Sequence, residues 1–396
     1  MKTLNNIVAL AAMAGAGAGC NWTEFDDVAD TTWVSIVERP DEGDSSSFPL
    51  AVAAVNNSSD MGGTFMALGA ENPQLFTLAY DSTGSYAVTP SVLLSMFGGG
   101  AVEDKPILLS DPASDQVVLV QAVGLIVTKP EIAHRPGGWG APDGGTFAVL
   151  GGETSVLVAD NSTVSNRSLA EGAAPTPCMF NLGGGTAPIR ALGAARSVPG
   201  PNDDTILVWT SDGELVRYDA SVFSACNSAP TGKIATSFTP SRGAEIHVID
   251  DHIALLVGSD GSRGFLGLYD VAPAVPTLIG APIMPDGVTT AAIIDIDAAS
   301  AKVATDAGRY VVAGMPRGTA DGVAEAGRVE LFKLTDQGLE GPKFVLHDAR
   351  PEANQAFGRS VTVMRFNGRP IIVVADGEEA FVYHQTLLYQ ETRQGR

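Results

Sequence analysis

Two imidazoles and two carboxylates crowd into the six residues His247-Val248-Ile249-Asp250-Asp251-His252, a grouping suited to acid–base or metal chemistry. Residues five apart on an extended strand face opposite sides, so both imidazoles reach one site only across a turn. The alternative is a hairpin turn with polar corners. A second grouping, His134-Arg135-Pro136-Gly137-Gly138-Trp139-Gly140, places an imidazole, a guanidinium and an indole on a Gly/Pro-rich loop. Loops on a rigid scaffold carry much of protein function, and His134, Arg135 and Trp139 form a candidate binding loop. Trp139 either stacks on a sugar or packs beneath the loop. The long segment Met315–Leu331 adds Arg317, Asp321 and Glu325 on a further loop, read as a long turn. The chain has no GxSxG elbow, HExxH helix or GxxxxGK[ST] phosphate loop. Gly183-Gly184-Gly185 begins like a dinucleotide turn, but Pro188 replaces the third glycine and a strand follows. No residue is assigned a catalytic role.

The elements that hold these residues follow from composition. The 396 residues carry 24 Lys plus Arg against 45 Asp plus Glu, a net charge of -21. That balance excludes electrostatic capture of nucleic acid or anionic lipid. At 45% hydrophobic the chain has material for a sizeable core, and 45 glycines with 17% charged residues describe a turn-rich, helix-poor polypeptide.

The amino terminus is different. Lys2 precedes the apolar run Ile7–Ala14 and the small-residue run Gly15–Gly19, the three-part layout of an export signal. Gly17-Ala18-Gly19-Cys20 resembles a bacterial lipoprotein cleavage region, with Gly17 where that family usually has Leu. The resemblance implies cleavage that frees Cys20 as a new amino terminus carrying lipid chains, and attachment to the membrane through this anchor only. Asn21, in place of Asp, implies sorting to the outer membrane. The alternative is an ordinary secretory signal with Cys20 a stray thiol. With Cys20 acylated, Cys178 and Cys226 remain, an even pair read as a disulfide closing a loop of roughly 48 residues; two free thiols are the alternative. Residues 20–47 are acidic and Ser-rich around one apolar stretch, Trp33–Val37, and most of this segment reads as a tether.

Seven hairpin patterns follow, at 65–80, 107–121, 147–160, 206–219, 253–270, 310–333 and 371–384. Each is a pair of apolar, β-branched runs around a Gly-, Asp-, Ser- or Pro-containing turn. Further apolar stretches precede most of them (Leu50–Val55, Ile189–Ala195, Ala244–Ile249, Ala291–Ile296, Ser360–Phe366), and others follow (Lys233–Phe238, Lys343–Leu346, Thr386–Tyr389). Four short strands per unit of about 50 residues is the arithmetic of a propeller blade. The expectation is an all-β chain, a seven-bladed β-propeller over 48–390 with a tail at 391–396. Six or eight blades are the alternatives, since the outer strands of the second and third units are indistinct.

Ala356-Phe357-Gly358-Arg359-Ser360-Val361, Ile371–Ala375 and Ala380–Tyr383 resemble an FG-GAP repeat, the blade motif of integrin-alpha-type propellers. Val311–Pro316 resembles the motif's "GAP" strand end, and Gly327–Phe332 its following strand. That family often carries a DxDxDG calcium loop between the first two strands of a blade. Asp295 and Asp297 have the spacing, but Ala298, Ala299 and Ser300 follow in place of further carboxylates and Gly. Calcium at Asp295 and Asp297 therefore stands against solvated or turn-capping carboxylates, and no other cofactor is expected.

The function expected from these features is a lipid-anchored protein of the cell envelope, presenting a propeller surface to an envelope protein or glycan. An enzyme acting on envelope polysaccharide and a structural subunit of an envelope complex are the alternatives.

Overall fold

The computed structural model describes strand segments between 33 and 168 together with 48–49. Beyond these it describes 187–195, 205–219, 229–241, 243–250, 252–288, 290–296, 307–366 and 369–384. Among the described residues every element is a β-strand. The strands are β1 (Trp33–Glu38), then β2 (Ala51–Val55), β3 (Gly63–Leu68), β4 (Gln74–Tyr80) and β5 (Tyr86–Leu93). Next come β6 (Ile107–Ser110), β7 (Val117–Gln121), β8 (Gly124–Lys129), β9 (Ile132–His134), β10 (Phe147–Leu150), β11 (Ser155–Asp160) and β12 (Thr163–Ser168). They continue with β13 (Ile189–Ala195), β14 (Thr205–Thr210), β15 (Glu214–Asp219), β16 (Gly232–Ala235), β17 (Glu245–Asp250), β18 (Ile253–Ser259), β19 (Gly264–Asp270) and β20 (Thr277–Leu278). The last are β21 (Thr290–Ile296), β22 (Gly308–Met315), β23 (Arg328–Thr335), β24 (Gly338–Leu346), β25 (Ser360–Phe366), β26 (Arg369–Ala375) and β27 (Glu379–His384).

These strands form antiparallel sheets in simple meander order: β2 to β5, β6 to β9, β10 to β12, β13 to β16, β17 to β20 and β21 to β24. The remaining sheet has the order β1-β27-β26-β25, so its outer strand comes from the far end of the chain. Trp33–Glu38 pairs with Glu379–His384 over six residues, Ile36 opposite Phe381. The segment 20–47, read as mostly tether, thus contributes a strand. Local pattern could not reveal the pairing, because a strand's partner leaves no trace in its own composition.

The local reasons for the strands lie in their apolar runs. β14 is TILVWT, buried throughout, and β18 and β19 are nearly so. Such continuous burial needs apolar surface on both faces, and neighbouring sheets supply it. Tyr310, Val312, Leu331 and Ile294 pack against Phe357, Val374, Phe381 and Tyr383 of the last sheet. Leu207, Trp209 and Leu215 pack against Ile246, Leu256 and Phe265. Leu255, Val257 and Leu268 pack against Val311, Ala313 and Phe332. Leu157, Ala159 and Val164 meet Leu192, Val208 and Tyr218 in the same way. Within one of these layers Trp209, Phe238 and Phe265 form an aromatic group with centroids 4.9–6.1 Å apart.

The first strand of each sheet lies beside the first strands of its neighbours: β2 with β6, β6 with β10, β10 with β13, β13 with β17, β17 with β21, β21 with β25, and β25 with β2. Side chains of the adjacent first strand accept some of their N–H groups. Val52 N–H donates to Ser360 Oγ (3.1 Å) and Ala54 N–H to Thr362 Oγ1 (3.0 Å), each across 308 residues of sequence. Ala291 N–H donates to Glu245 Oε2 (3.3 Å). Phe48, fully buried, donates its N–H to Gly377 O and packs with Val52 against Val373 and Val382.

The hairpins at 107–121 and 147–160 are β6–β7 and β10–β11, each the first two strands of its sheet, which β8 with β9 and β12 complete; the other five hairpins are the two middle strands of theirs.

Candidate functional site

In a four-stranded meander the turn between the second and third strands lies at the same end as the segment leading to the next sheet. Four such turns and their connecting segments build one loop-bearing end: 211–213, 260–263, 316–327 and 376–378, with 279–288 and 347–359. All four turns contain an Asp-Gly pair, Asp212-Gly213, Asp260-Gly261, Asp321-Gly322 and Asp376-Gly377, each Gly at positive φ (85°, 96°, 81° and 104°). Asp tightens such turns by accepting backbone N–H groups of the residues that follow. Asp260 Oδ1 accepts Ser262 N–H (2.9 Å) and Arg263 N–H (2.7 Å); Asp376 Oδ1 accepts Glu378 N–H and Glu379 N–H, both at 2.7 Å.

The two turns differ electrostatically for a physical reason. The backbone donors of Arg263 and Ser262 pull the solvated Asp260 carboxyl down to about 2. Asp376 keeps equivalent donors, yet burial pushes its carboxyl up, because only 4% of the residue reaches solvent. Gln355 satisfies its second oxygen: Nε2 donates to Asp376 Oδ2 (3.1 Å) and also to Asp348 Oδ2. One amide therefore bridges two carboxylates, while Gln355 Oε1 accepts Glu352 N–H (3.2 Å). Buried Tyr383 lies behind them, its phenol pushed well above the ordinary range by burial and then by the charges of Asp348 and Asp376. This cluster clamps the 347–359 segment onto the turn of the last sheet.

The clamp is reinforced by backbone. Gly358 and Arg359 N–H both donate to Ala375 O (3.1 and 3.0 Å), and Phe357 N–H donates to Ala326 O (3.0 Å). Phe357 is fully buried, its ring 5.0 Å edge-to-face from Phe381. Gly314 and Gly358 meet so closely that a Cβ on Gly314 would collide with Gly358 O.

The fourth turn, Pro316–Gly327, is the long one. Gly327 N–H donates to Gly318 O (2.9 Å), and Arg328 Nη1 donates to Thr319 O (2.9 Å) while its Nε pairs with Glu330 at 2.6 Å. Arg317 Nη1 reaches Gly261 O of the adjoining turn at 3.2 Å. His347 sits beneath, Nδ1 2.8 Å from Asp348 O and Nε2 3.6 Å from Asp321 Oδ1. The loops of three successive sheets are thus linked at this end. Exposed acids dominate there: Asp212, Asp260, Asp286, Asp321, Glu325, Glu352 and Glu378, against exposed Arg263, Arg317 and Arg350, among the described residues. Such a surface favours cationic groups.

The expected site residues fall in several places. His247 and His252 do not converge. His252 is exposed in the β17–β18 turn, whereas His247 pairs with Glu245, Nε2 to Oε2 at 3.0 Å. The signal for that pair was the Glu-x-His spacing, which sets both side chains on one face of a strand. Asp295, on β21, accepts Arg309 Nε at 2.7 Å. His134 ends β9, opposite Val127. Cys20, Arg135, Trp139, Cys178, Cys226 and Asp297 lie outside the described residues. No group of three or more His, Cys, Asp or Glu side chains is arranged to hold a metal among the described residues. Gln355 and Asp376 escaped sequence reasoning; the recurring Asp-Gly turn marked Asp376, but nothing local marks its burial.

No protein-family model matches this chain, and no curated protein matches it in sequence.

Proposed function

We propose that the chain is a seven-bladed β-propeller of the FG-GAP type, held to the bacterial outer membrane through lipidated Cys20. It works there as a binding or assembly module for an envelope partner, protein or glycan, with cationic surface. The neighbour order of the first strands supports the ring, as do β1 on β27 and the hydrogen bonds from Val52 and Ala54 to β25. Phe357-Gly358 docked beside Gly314 supports the FG-GAP likeness. The observation that carries the binding role is the loop-bearing end, where acidic side chains stand on turns tied from sheet to sheet by hydrogen bonds. A pre-ordered surface of this kind loses little entropy on binding.

The test is capture from envelope extract by soluble 24–396, which retains β1, across a salt series and with calcium or chelator. A stoichiometric partner retained intact, and released as salt rises, is the expected result. A glycan cleaved during capture would move the reading to an enzyme, for which the Glu245–His247 pair is the first group to substitute. No partner in any buffer overturns the binding role. Separately, Cys20→Ala is expected to release the protein from membranes, and retention there would overturn the anchor.

A further inference from the structure

The donor and acceptor pattern around His347 determines how this imidazole meets the long 316–327 loop. Its Nδ1 lies 2.8 Å from the backbone carbonyl of Asp348, and a carbonyl oxygen only accepts, so Nδ1 carries a proton. A neutral imidazole has one N–H, which leaves Nε2 as a lone-pair acceptor. Yet Nε2 faces the Asp321 carboxylate at 3.6 Å, another acceptor. The contact becomes an ion pair only when Nε2 is protonated too. The two partners differ in exposure: the His347 side chain is 10% exposed beneath the loop, whereas Asp321 is 56% exposed. Asp321 also holds a left-handed backbone, φ 48°, as does Glu325 at φ 56°.

We propose that His347 and Asp321 form an acid-strengthened clasp that holds the 316–327 loop against the 347–359 segment and slackens as pH rises. Other charged groups stand around it. Asp348 is next in sequence, with its carboxylate turned to Gln355, and Asp376 and Tyr383 lie beyond that amide. Arg328 is held by Glu330 and Thr319 O. Arg317, at the far side of the loop, is bound to Gly261 O. The sign is fixed by the donors: with Nδ1 committed to Asp348 O, Nε2 offers a positive N–H to Asp321 only in the doubly protonated ring, so the clasp is complete when the ring is charged and is lost as the proton leaves. Imidazole is the side chain that changes charge between pH 5 and 8. In the proposed binding role, this makes the order of one acidic loop depend on the pH outside the cell; the clasp itself stands without that role.

The test is amide hydrogen exchange over residues 316–327 at pH 5.5 and 7.5, each corrected for intrinsic rate, in the full mature chain and in Asp321→Asn. Exposed charge pairs are worth little, so the expected extra protection at pH 5.5 is about two- to fivefold in wild type and absent in Asp321→Asn. Equal corrected protection at both pH values, or the same pH response in Asp321→Asn, overturns the clasp. Binding assays do not enter the test, so failure of the clasp and failure of the binding role are read separately.

Discussion

Ser360 and Thr362 carry a sharp test of how the two ends of the chain are joined. Their hydroxyls accept the N–H groups of Val52 and Ala54 at 3.1 and 3.0 Å, although 308 residues separate each pair. The perturbation is Ser360→Ala with Thr362→Val, which removes both acceptors and keeps the strand's shape. A backbone N–H that loses its partner costs about 0.5–1.5 kcal/mol where water takes over, and about 1–3 kcal/mol where it does not. Val52 is 5% exposed and belongs to the costlier class; Ala54 is half-buried and belongs to the milder one. The double substitution is therefore expected to cost roughly 2–4 kcal/mol. Urea denaturation should show a lower midpoint at unchanged slope. Amide exchange should accelerate by about fivefold or more at Val52 and by about two- to tenfold at Ala54, since each 1.4 kcal/mol is a factor of ten. Wild-type exchange at both amides, with an unmoved midpoint, would refute the idea that β25 holds β2.

Three other predictions follow from packing and charge. Asp376 has its carboxyl raised by burial, so the folded state binds this proton more tightly than the unfolded state does. Its contribution to stability is full below the unfolded value of 3.8 and is lost as pH rises through the raised folded value; Asp376→Asn should remove that component from a stability profile measured between pH 3 and 7. Gly314→Ala drives a methyl into Gly358 O, and chemical denaturation should show a loss of about 1–3 kcal/mol. Asp295→Asn breaks an exposed pair with Arg309 and should cost less than about 1 kcal/mol. Its thermal midpoint should respond to calcium and to chelator as wild type does; a calcium shift lost in the variant would assign the ion to Asp295.

How much of this was legible beforehand depends on the range of the interaction. Ile206–Asp219 and Ile253–Asp270 read as hairpins because short apolar, β-branched runs flank turns containing Asp and Gly, and both hairpins are present at β14–β15 and β18–β19. Ile189–Ala195 and Ser360–Phe366 coincide with β13 and β25. In 107–121 and 147–160 the hairpins are present as β6–β7 and β10–β11, while the outer strands β8, β9 and β12 left no distinct pattern. Trp33–Glu38 looked like an apolar interruption in a tether, because its partner β27 is more than three hundred residues away. The site divides in the same way. Glu245 and His247 are two apart on one strand, whereas Gln355 bridges Asp348 to Asp376 from another segment.

By itself the sequence determined the strand-rich chain, the Asp-Gly turns and the acidic balance, since each depends on residues within a few positions of one another. Only the tertiary structure decided that Trp33–Glu38 completes the last sheet, and that Ser360 and Thr362 serve the N–H groups of β2. It also decided that two Asp-Gly turns carry carboxyls shifted in opposite directions. The physical reason is solvent. Local hydrogen bonds are set by the turn, but whether water reaches the carboxylate depends on what the rest of the chain packs over it.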